Sequence, residues 1–358
     1  MEFNKILIVR LSAIGDVINT IPTLMALRQN FPKCLIGWVV EDKAKDLLTD
    51  LSAAPGTAQA GLPLLDKVFV WHRRGNQKIT DTLGLIQELR RHKFDIAIDF
   101  QGNLKSGLIT SLSGAKTRVG MKPAKEGNTL FTNLKVALPD KKINRVERNL
   151  YILNQLGINT DILDWKKTPA LSGPADESYI DKFLAAHNSS KRPVIILHPG
   201  TSEFGLFKRW APAKYAQLAD RLAEELKAIC IISWAGKEKS LAESIAKQMS
   251  HKPLIFPEQL SLNKLAALIK RSRLFIGSDS APLHLANLLG VNVLGLYGPK
   301  DPAVYSPFLP PNAAHQAVII RKDLPCSPCQ KRRCDKPVCM ESITVEDVFQ
   351  KSIQMMGK

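Results

Sequence analysis

The chain reads as an α/β protein built from two doubly wound parallel-sheet domains. Three observations predict this. Short β-branched runs such as residues 6–9 and 194–197 lack a polar face, as strands covered on both sides of a parallel sheet do. Stretches with helical apolar spacing separate such runs, which is the signature of βαβ units. A length of 358 residues is comfortable for two domains of roughly 150 residues each.

In order, the first half gives a strand at 6–9 and a helix at 17–30, with Val17, Ile21, Leu24 and Leu27 on one face. A strand at 34–40 and a helical stretch at 43–51 follow. A Pro/Gly/Ala-rich loop then leads to a strand at 68–71. The helix at 79–91 ends in Arg90 and Arg91, which suits a helix C-terminus. Residues 94–99 are a strand and 104–112 a helix. The pattern is less regular over 116–139, and helix resumes at 145–156. Between 161 and 191 the pattern loosens around Pro169, Gly173 and Pro174, with a short helix at 179–187. The alternation then restarts with strands at 194–197, 229–233, 254–256, 274–277 and 293–297. Helices at 212–227, 240–249, 262–271 and 281–289 lie between them, and a last helix spans 344–356. The expected domains are 1–165, a linker at 166–190, and 191–342, with 343–358 as a terminal helix.

Composition excludes several classes. The 45% hydrophobic and 23% charged content is that of a globular protein. No apolar run approaches the ~20 residues that span a bilayer, and residues 1–9 lack a secretory apolar region, so the cytoplasm is expected. Net charge is +17, with nine Lys or Arg against three acids between Lys116 and Arg148. Such an excess favours an anionic partner. Aromatics are only 6% and not interleaved with the charges, which disfavours a nucleic-acid stacking platform. No G-x-G-x-x-G follows any strand and no Walker A sequence is present, which disfavours a dinucleotide-dependent dehydrogenase or P-loop enzyme.

Strand ends carry the candidate chemistry. Residues 198–210, His198-Pro199-Gly200-Thr201 through Lys208-Arg209-Trp210, join a strand to a helix through small and basic residues. Backbone N–H groups at such a turn, with the Lys208 charge, make an anion site. Ser278, Asp279, Ser280 and Ala281 form a second strand–turn–helix suited to phosphate. Glu238, after another strand of the same half, can accept hydrogen bonds from ribose hydroxyls. Together these fit a nucleoside diphosphate. His284 reads as a packing histidine. In the first half, Gly15 and Asp16 follow the first strand; position alone makes Asp16 a helix cap, and its alternative is a general base. Cys34 and Cys230 read as core residues. Cys326, Cys329, Cys334 and Cys339 are expected as reduced thiols in a basic loop, with a tetrahedral zinc site as the alternative that C-x2-C-x4-C-x4-C spacing permits.

Four motifs in order carry a resemblance over nearly the whole chain. They are residues 11–17 (Leu-Ser-Ala-Ile-Gly-Asp-Val) with Pro22, residues 99–106 (Asp-Phe-Gln-Gly-Asn-Leu-Lys-Ser), residues 198–210, and residues 278–286 (Ser-Asp-Ser-Ala-Pro-Leu-His-Leu-Ala). The chain resembles the lipopolysaccharide heptosyltransferases of glycosyltransferase family 9. It departs from the common family form at Ala281-Pro282, where glycine is usual. The Cys326-Ser327-Pro328-Cys329 loop is similar to a recurring family feature.

The resemblance implies a GT-B fold, two Rossmann-like domains facing across a cleft. The first would bind acceptor, the second nucleotide sugar, and the terminal helix would cross back to the first. It implies inverting transfer of heptose from ADP-L-glycero-β-D-manno-heptose to the Kdo-lipid A or heptosylated inner core. Asp16 matches the family's catalytic base, replacing the cap reading, and Lys208 the diphosphate-holding residue. Asp279 matches a donor-binding acid, and Glu238 is a looser match to the ribose-binding one. Thr201, Ser278, Ser280 and Ala281 complete the expected donor site. Arg73, Arg74, Lys105, Lys122 and Lys125 are candidates for the anionic acceptor. No cofactor or metal is required, because Lys208 and helix N-termini can neutralise a leaving ADP. The basic face of the first half is expected to rest on the anionic inner leaflet of the inner membrane. No nucleic-acid partner is expected. Transfer of another nucleotide-linked sugar is the alternative within enzymes, and a charge-driven nucleic-acid-binding protein the alternative outside them.

Overall fold

The computed structural model describes residues 3–52, 63–72, 78–140, 142–188, 190–311, 313–329, 331 and 333–357. It divides into two compact units, one ending at Asp164 and the other beginning at Trp165. Each holds a six-stranded, all-parallel sheet. In the first the strands are β1 (Lys5–Val9), β2 (Leu35–Glu41), β3 (Lys67–Trp71), β4 (Ile96–Asp99), β5 (Thr117–Lys122) and β6 (Leu134–Ala137), in the order β3-β2-β1-β4-β5-β6. In the second they are β7 (Val194–His198), β8 (Ile229–Ile232), β9 (Leu254–Ile255), β10 (Leu274–Ser278), β11 (Val293–Leu296) and β12 (Ala317–Ile320), in the order β12-β11-β10-β7-β8-β9. The two orders are the same topology.

In each sheet the winding reverses between two central strands, β1 and β4 in one and β7 and β10 in the other. Loops leaving the carboxyl ends of such strands diverge to opposite faces and leave a crevice for ligands. Register puts these ends abreast: Val9 pairs with Asp99, and Gly277 with His198. The four motifs that carry the family resemblance each leave one of these four ends.

The central strands are buried on both faces, which is why they read as unbroken apolar runs. Differences from expectation in the sheets fall at or next to their edges. β5 and β6 occupy the stretch read as less regular. Only Val119, Gly120, Met121 and Val136 are buried there, so no apolar run marks them. β12 is half-exposed along its length. The helix expected at 17–30 is two helices, Ile14–Ile18 and Ile21–Asn30, broken ahead of Pro22, whose ring cannot sit in a helix interior.

The stretch 166–190, expected as a linker, carries a helix, Pro174–His187. It buries Ile180, and Arg271 forms an ion pair with Asp181, tying it to the second unit. The terminal helix, Val345–Met355, packs within the second unit. Val348, Phe349 and Met355 join the second unit's core, and the Arg221 guanidinium lies 3.7 Å from the Phe349 ring centroid. Its apolar stripe is satisfied beside the helix Pro212–Glu225.

Candidate active site

In the first unit the chain leaves β1 through Arg10, which is buried with its guanidinium divided between two loops. Nη1 donates to the Phe100 carbonyl at 2.5 Å, and Nη2 pairs with Asp16 Oδ2 at 2.5 Å. Trp38 Nε1 holds the Arg10 carbonyl at 3.1 Å. From the neighbouring β4 loop, Gln101 Oε1 accepts the Leu11 and Ser12 N–H groups at 2.8 and 3.1 Å. Asp99 anchors that loop: its carboxylate accepts from the Gln101 and Gly102 N–H groups, Ser106 Oγ and Asn128 Nδ2. Burial nevertheless raises the Asp99 pKa, so this acid is a fixed strut.

Asp16 lies in the first turn of Ile14–Ile18, whose cap residue is Ala13, so the cap reading is not what the structure shows. Its side chain is 34% exposed. Burial pushes its pKa up, but Arg10, Arg145 and Arg148 together outweigh that and hold it below the ordinary 3.8. The carboxylate is therefore ionised at any physiological pH. None of the three arginines was singled out in the sequence. Arg145 and Arg148 come from 130 residues away in the chain, at the start of the helix Arg145–Gln155, docked here by Asn149 Nδ2 on Asn19 O and Thr20 Oγ1. Lys105, Lys122 and Lys125 are exposed. Lys125 N–H donates to the Gly102 carbonyl, which ties its segment to the β4 loop. Arg73 and Arg74 lie outside the described residues.

In the second unit Lys208 ends a 3-10 turn, Glu203–Lys208, and its Nζ sits 2.6 Å from Asp279 Oδ2. The two side chains are only 18% and 10% exposed. On the other carboxylate oxygen, His284 Nε2 lies at 3.7 Å. Burial pushes the Asp279 pKa up, and His284 and Lys208 more than reverse it. His284 is buried, and its Nε2 is turned toward Asp279, a partner that no local sequence pattern names. Ser278 is fully buried. Ser280 caps the helix Ala281–Leu288 by position, and its hydroxyl makes no hydrogen bond to the protein.

Arg209 bridges to the third strand end. Its Nη2 donates to the Thr201 carbonyl at 3.0 Å and to Glu238 Oε1 at 3.3 Å, and its Nε donates to Thr201 Oγ1. The Thr201 hydroxyl donates in turn to the Gly205 carbonyl, so it shapes the turn from within. Gly200 is required here: a Cβ would sit 2.1 Å from Glu238 Oε2. Burial raises the Glu238 pKa against the Ala235 N–H and Arg209. His198, buried with Nδ1 2.9 Å from Ser233 Oγ, is pushed by burial down to about 4 and stays neutral. The structure thus brings Thr201, Lys208, Glu238, Ser278, Asp279, Ser280 and Ala281 to adjacent carboxyl ends of β7, β8 and β10.

Residues 82–339 match the model of glycosyltransferase family 9 (heptosyltransferase). The chain belongs to glycosyltransferase family 9. It is a glycosyltransferase, and among family members it is 25% identical over 343 residues to lipopolysaccharide heptosyltransferase 1 of Pseudomonas aeruginosa, covering 92% of this chain and 87% of that one. It is 28% identical over 337 residues to lipooligosaccharide heptosyltransferase 2 of Haemophilus ducreyi, covering 88% of each. Solved structures agree on the fold. A family 9 glycosyltransferase from Veillonella parvula superposes with a TM-score of 0.80 at 21% identity, over 99% of this chain and 98% of that one. The E. coli heptosyltransferase WaaC with ADP superposes at 0.72 and 20% identity, over 98% and 99%. The fold is GT-B, as the family resemblance implied.

The four C-terminal cysteines are unbridged. Cys326 and Cys334 are exposed, Cys329 is partly so, and Cys339 is buried where a Cβ on Gly298 would meet its sulfur. The described residues gather no group of three or more metal-ligating side chains, so the zinc alternative is not assembled among them.

Proposed function

We propose that this family 9 enzyme transfers heptose from ADP-L-glycero-β-D-manno-heptose to the Kdo/heptose inner core of lipopolysaccharide, with inversion at the anomeric carbon. The observation that carries the reading is the pair of charged sets at the two switch points. One is an ionised carboxylate ringed by arginines; the other is a lysine held by a buried acid. Inverting transfer asks for one group to take the acceptor hydroxyl's proton and another to neutralise the departing diphosphate.

Asp16 takes the proton. In the acceptor-free protein three arginines hold its basicity down. An acceptor bearing carboxylates or phosphates draws on Arg145 and Arg148, and neutralising them lifts the Asp16 pKa toward the range a base needs. Activation is thereby tied to binding of the correct, anionic acceptor. Lys105, Lys122 and Lys125 extend the positive field along the acceptor.

Lys208 stabilises the leaving ADP together with the N–H groups at the start of Ala281–Leu288. Asp279 keeps the Lys208 side chain in place until donor arrives. Glu238, pinned by Arg209, accepts from the ribose hydroxyls. Charge neutralisation by Lys208 does the work for which other transferases use a divalent ion, so no metal or cofactor enters the scheme. The first unit would bind acceptor and the second donor.

A nucleotide sugar and a lipid-linked acceptor meet at the cytoplasmic face of the inner membrane, which is where we place the protein. Among the described residues no helix is long and apolar enough to cross a membrane. The test is mass analysis of products from ADP-heptose with defined Kdo-lipid A and with heptosylated core. A heptose added to one of these supports the reading. Turnover with a UDP- or GDP-sugar but not with ADP-heptose overturns the donor.

A further inference from the structure

Large apolar side chains exposed on the first unit are not scattered evenly. Leu104 is 48% exposed and Leu108 44%, one helical turn apart on the helix Leu104–Leu112. Leu130, on the 3-10 turn Asn128–Leu130, is 85% exposed, and Leu134 at the start of edge strand β6 is also exposed. These elements are packed together. A Cβ on Gly107, between the two helix leucines, would meet Asn128 and Phe131, and Asn128 Nδ2 donates to the Asn103 carbonyl at 2.8 Å. The turn therefore sits against the helix, with leucines on both sides of the seam.

The same stretch is cationic. From 104 to 139 there are six Lys or Arg and one acid. Lys105, Lys116, Lys122, Lys125 and Lys135 are all exposed. The single acid, Glu126, turns its carboxylate onto the Leu104 N–H at 3.2 Å, at the helix start. Exposed leucines and lysines on the same stretch have a definite complement. An anionic bilayer surface meets the ammonium groups with lipid headgroups and takes the leucines into its apolar boundary. Nucleic acid would match the charge but gives leucine nothing to bury against, and the patch lacks the exposed aromatics on which bases stack.

We propose that the face formed by Leu104, Leu108, Leu130 and Leu134, with the lysines of the same stretch, docks the first unit on an anionic membrane surface. It deepens the reading above, because an enzyme acting on a lipid-anchored acceptor gains from being held at the depth of that acceptor's sugars. A single exposed leucine is ordinary on a protein surface; four on adjoining elements of a strongly cationic stretch are not.

The test is co-sedimentation of the full chain with vesicles of phosphatidylcholine alone and of phosphatidylcholine with phosphatidylglycerol. It is run for the wild type and for Leu108→Ser/Leu130→Ser. Wild type should pellet with the anionic vesicles only, and less so as salt rises. The double variant should lose about tenfold or more in partitioning. Its melting temperature and its turnover of a deacylated, water-soluble acceptor should be unchanged. Equal binding of both vesicle types, or partitioning that the leucine substitutions leave untouched, overturns the proposal. So does a wild-type dimer in solution that the double variant converts to monomer, since the face would then be covered by a second copy along β6. Loss of transfer from ADP-heptose with vesicle binding intact would instead strike the proposed reaction and leave the docking face standing.

Discussion

Replacing Lys208 with methionine tests the donor site through stability and binding together. The Lys208–Asp279 contact is 2.6 Å between side chains 18% and 10% exposed, so removing the ammonium leaves a carboxylate short of water and of charge. Breaking one partner of such a pair costs about 3–5 kcal/mol. Both side chains keep some contact with water, which sets the expectation near the lower bound of about 3 kcal/mol. For a unit of this size that is a fall in melting temperature of about 6–12 °C. Lys208→Met/Asp279→Leu removes both charges and should recover most of the loss, because no uncompensated ion remains. Binding separates the ligand role from the structural one. A charge-assisted contact to a diphosphate is worth about 1.5–3 kcal/mol, so ADP should bind the single variant about 10- to 150-fold more weakly by calorimetry. Adenosine, lacking the diphosphate, should bind as it does to wild type. Parallel loss of adenosine and ADP, or a double variant as unstable as the single one, would refute the assignment.

Other outcomes follow from the same geometry. Asp16→Asn should lower turnover at least ~100-fold with ADP affinity unchanged, since the lost group handles the acceptor proton; equal turnover in a steady-state assay would remove Asp16 from that role. Gly200→Ala should weaken adenosine and ADP alike, because the new Cβ would lie 2.1 Å from Glu238 Oε2 and displace that carboxylate. Undisturbed adenosine binding would free Glu238 from the ribose. Asp347 is held at about 2, below its ordinary 3.8: burial opposes this, but Lys322 and the Thr344 cap outweigh it. A depressed carboxylate stabilises the fold above its unfolded pKa and loses that contribution as pH falls through the folded one. Asp347→Asn should therefore cost about 1–2 kcal/mol near neutrality, allowing for partial exposure, and next to nothing near pH 2. A penalty independent of pH in chemical denaturation would show that the charge is not its source.

Much of this was legible because a parallel sheet covered on both faces writes its central strands as apolar runs. β1, β4, β7 and β10 were visible for that reason, and the residues after them with them. β5, β6 and β12 were not, since strands at or next to a sheet edge that stay partly open to water need no such run. The charged sets were legible only in part. Lys208 and Asp279 stand in motifs at strand ends, and so were found as single residues. Their pairing, and the turning of His284 toward Asp279, depend on the register of β7 with β10, which no local pattern encodes. Arg10 was passed over as the end of a strand. Arg145 and Arg148 looked like charge on a helix start, and only the docking of that helix through Asn149 brings them to bear on Asp16. The terminal helix was legible as a helix, and its Val348, Phe349 and Met355 pack into the second unit's core.

The central claim is that an acid at position 16 deprotonates an acceptor while the site of Lys208 and Asp279 holds the ADP of an ADP-heptose. Single-turnover product analysis by mass spectrometry, using ADP-heptose and a defined Kdo-lipid A or heptosylated core, tests it most directly in wild type and Asp16→Asn side by side. The account predicts one added heptose and free ADP from wild type, and unreacted donor bound to the variant. Heptose transfer by Asp16→Asn at the wild-type rate, or no transfer by wild type to either acceptor, would contradict it.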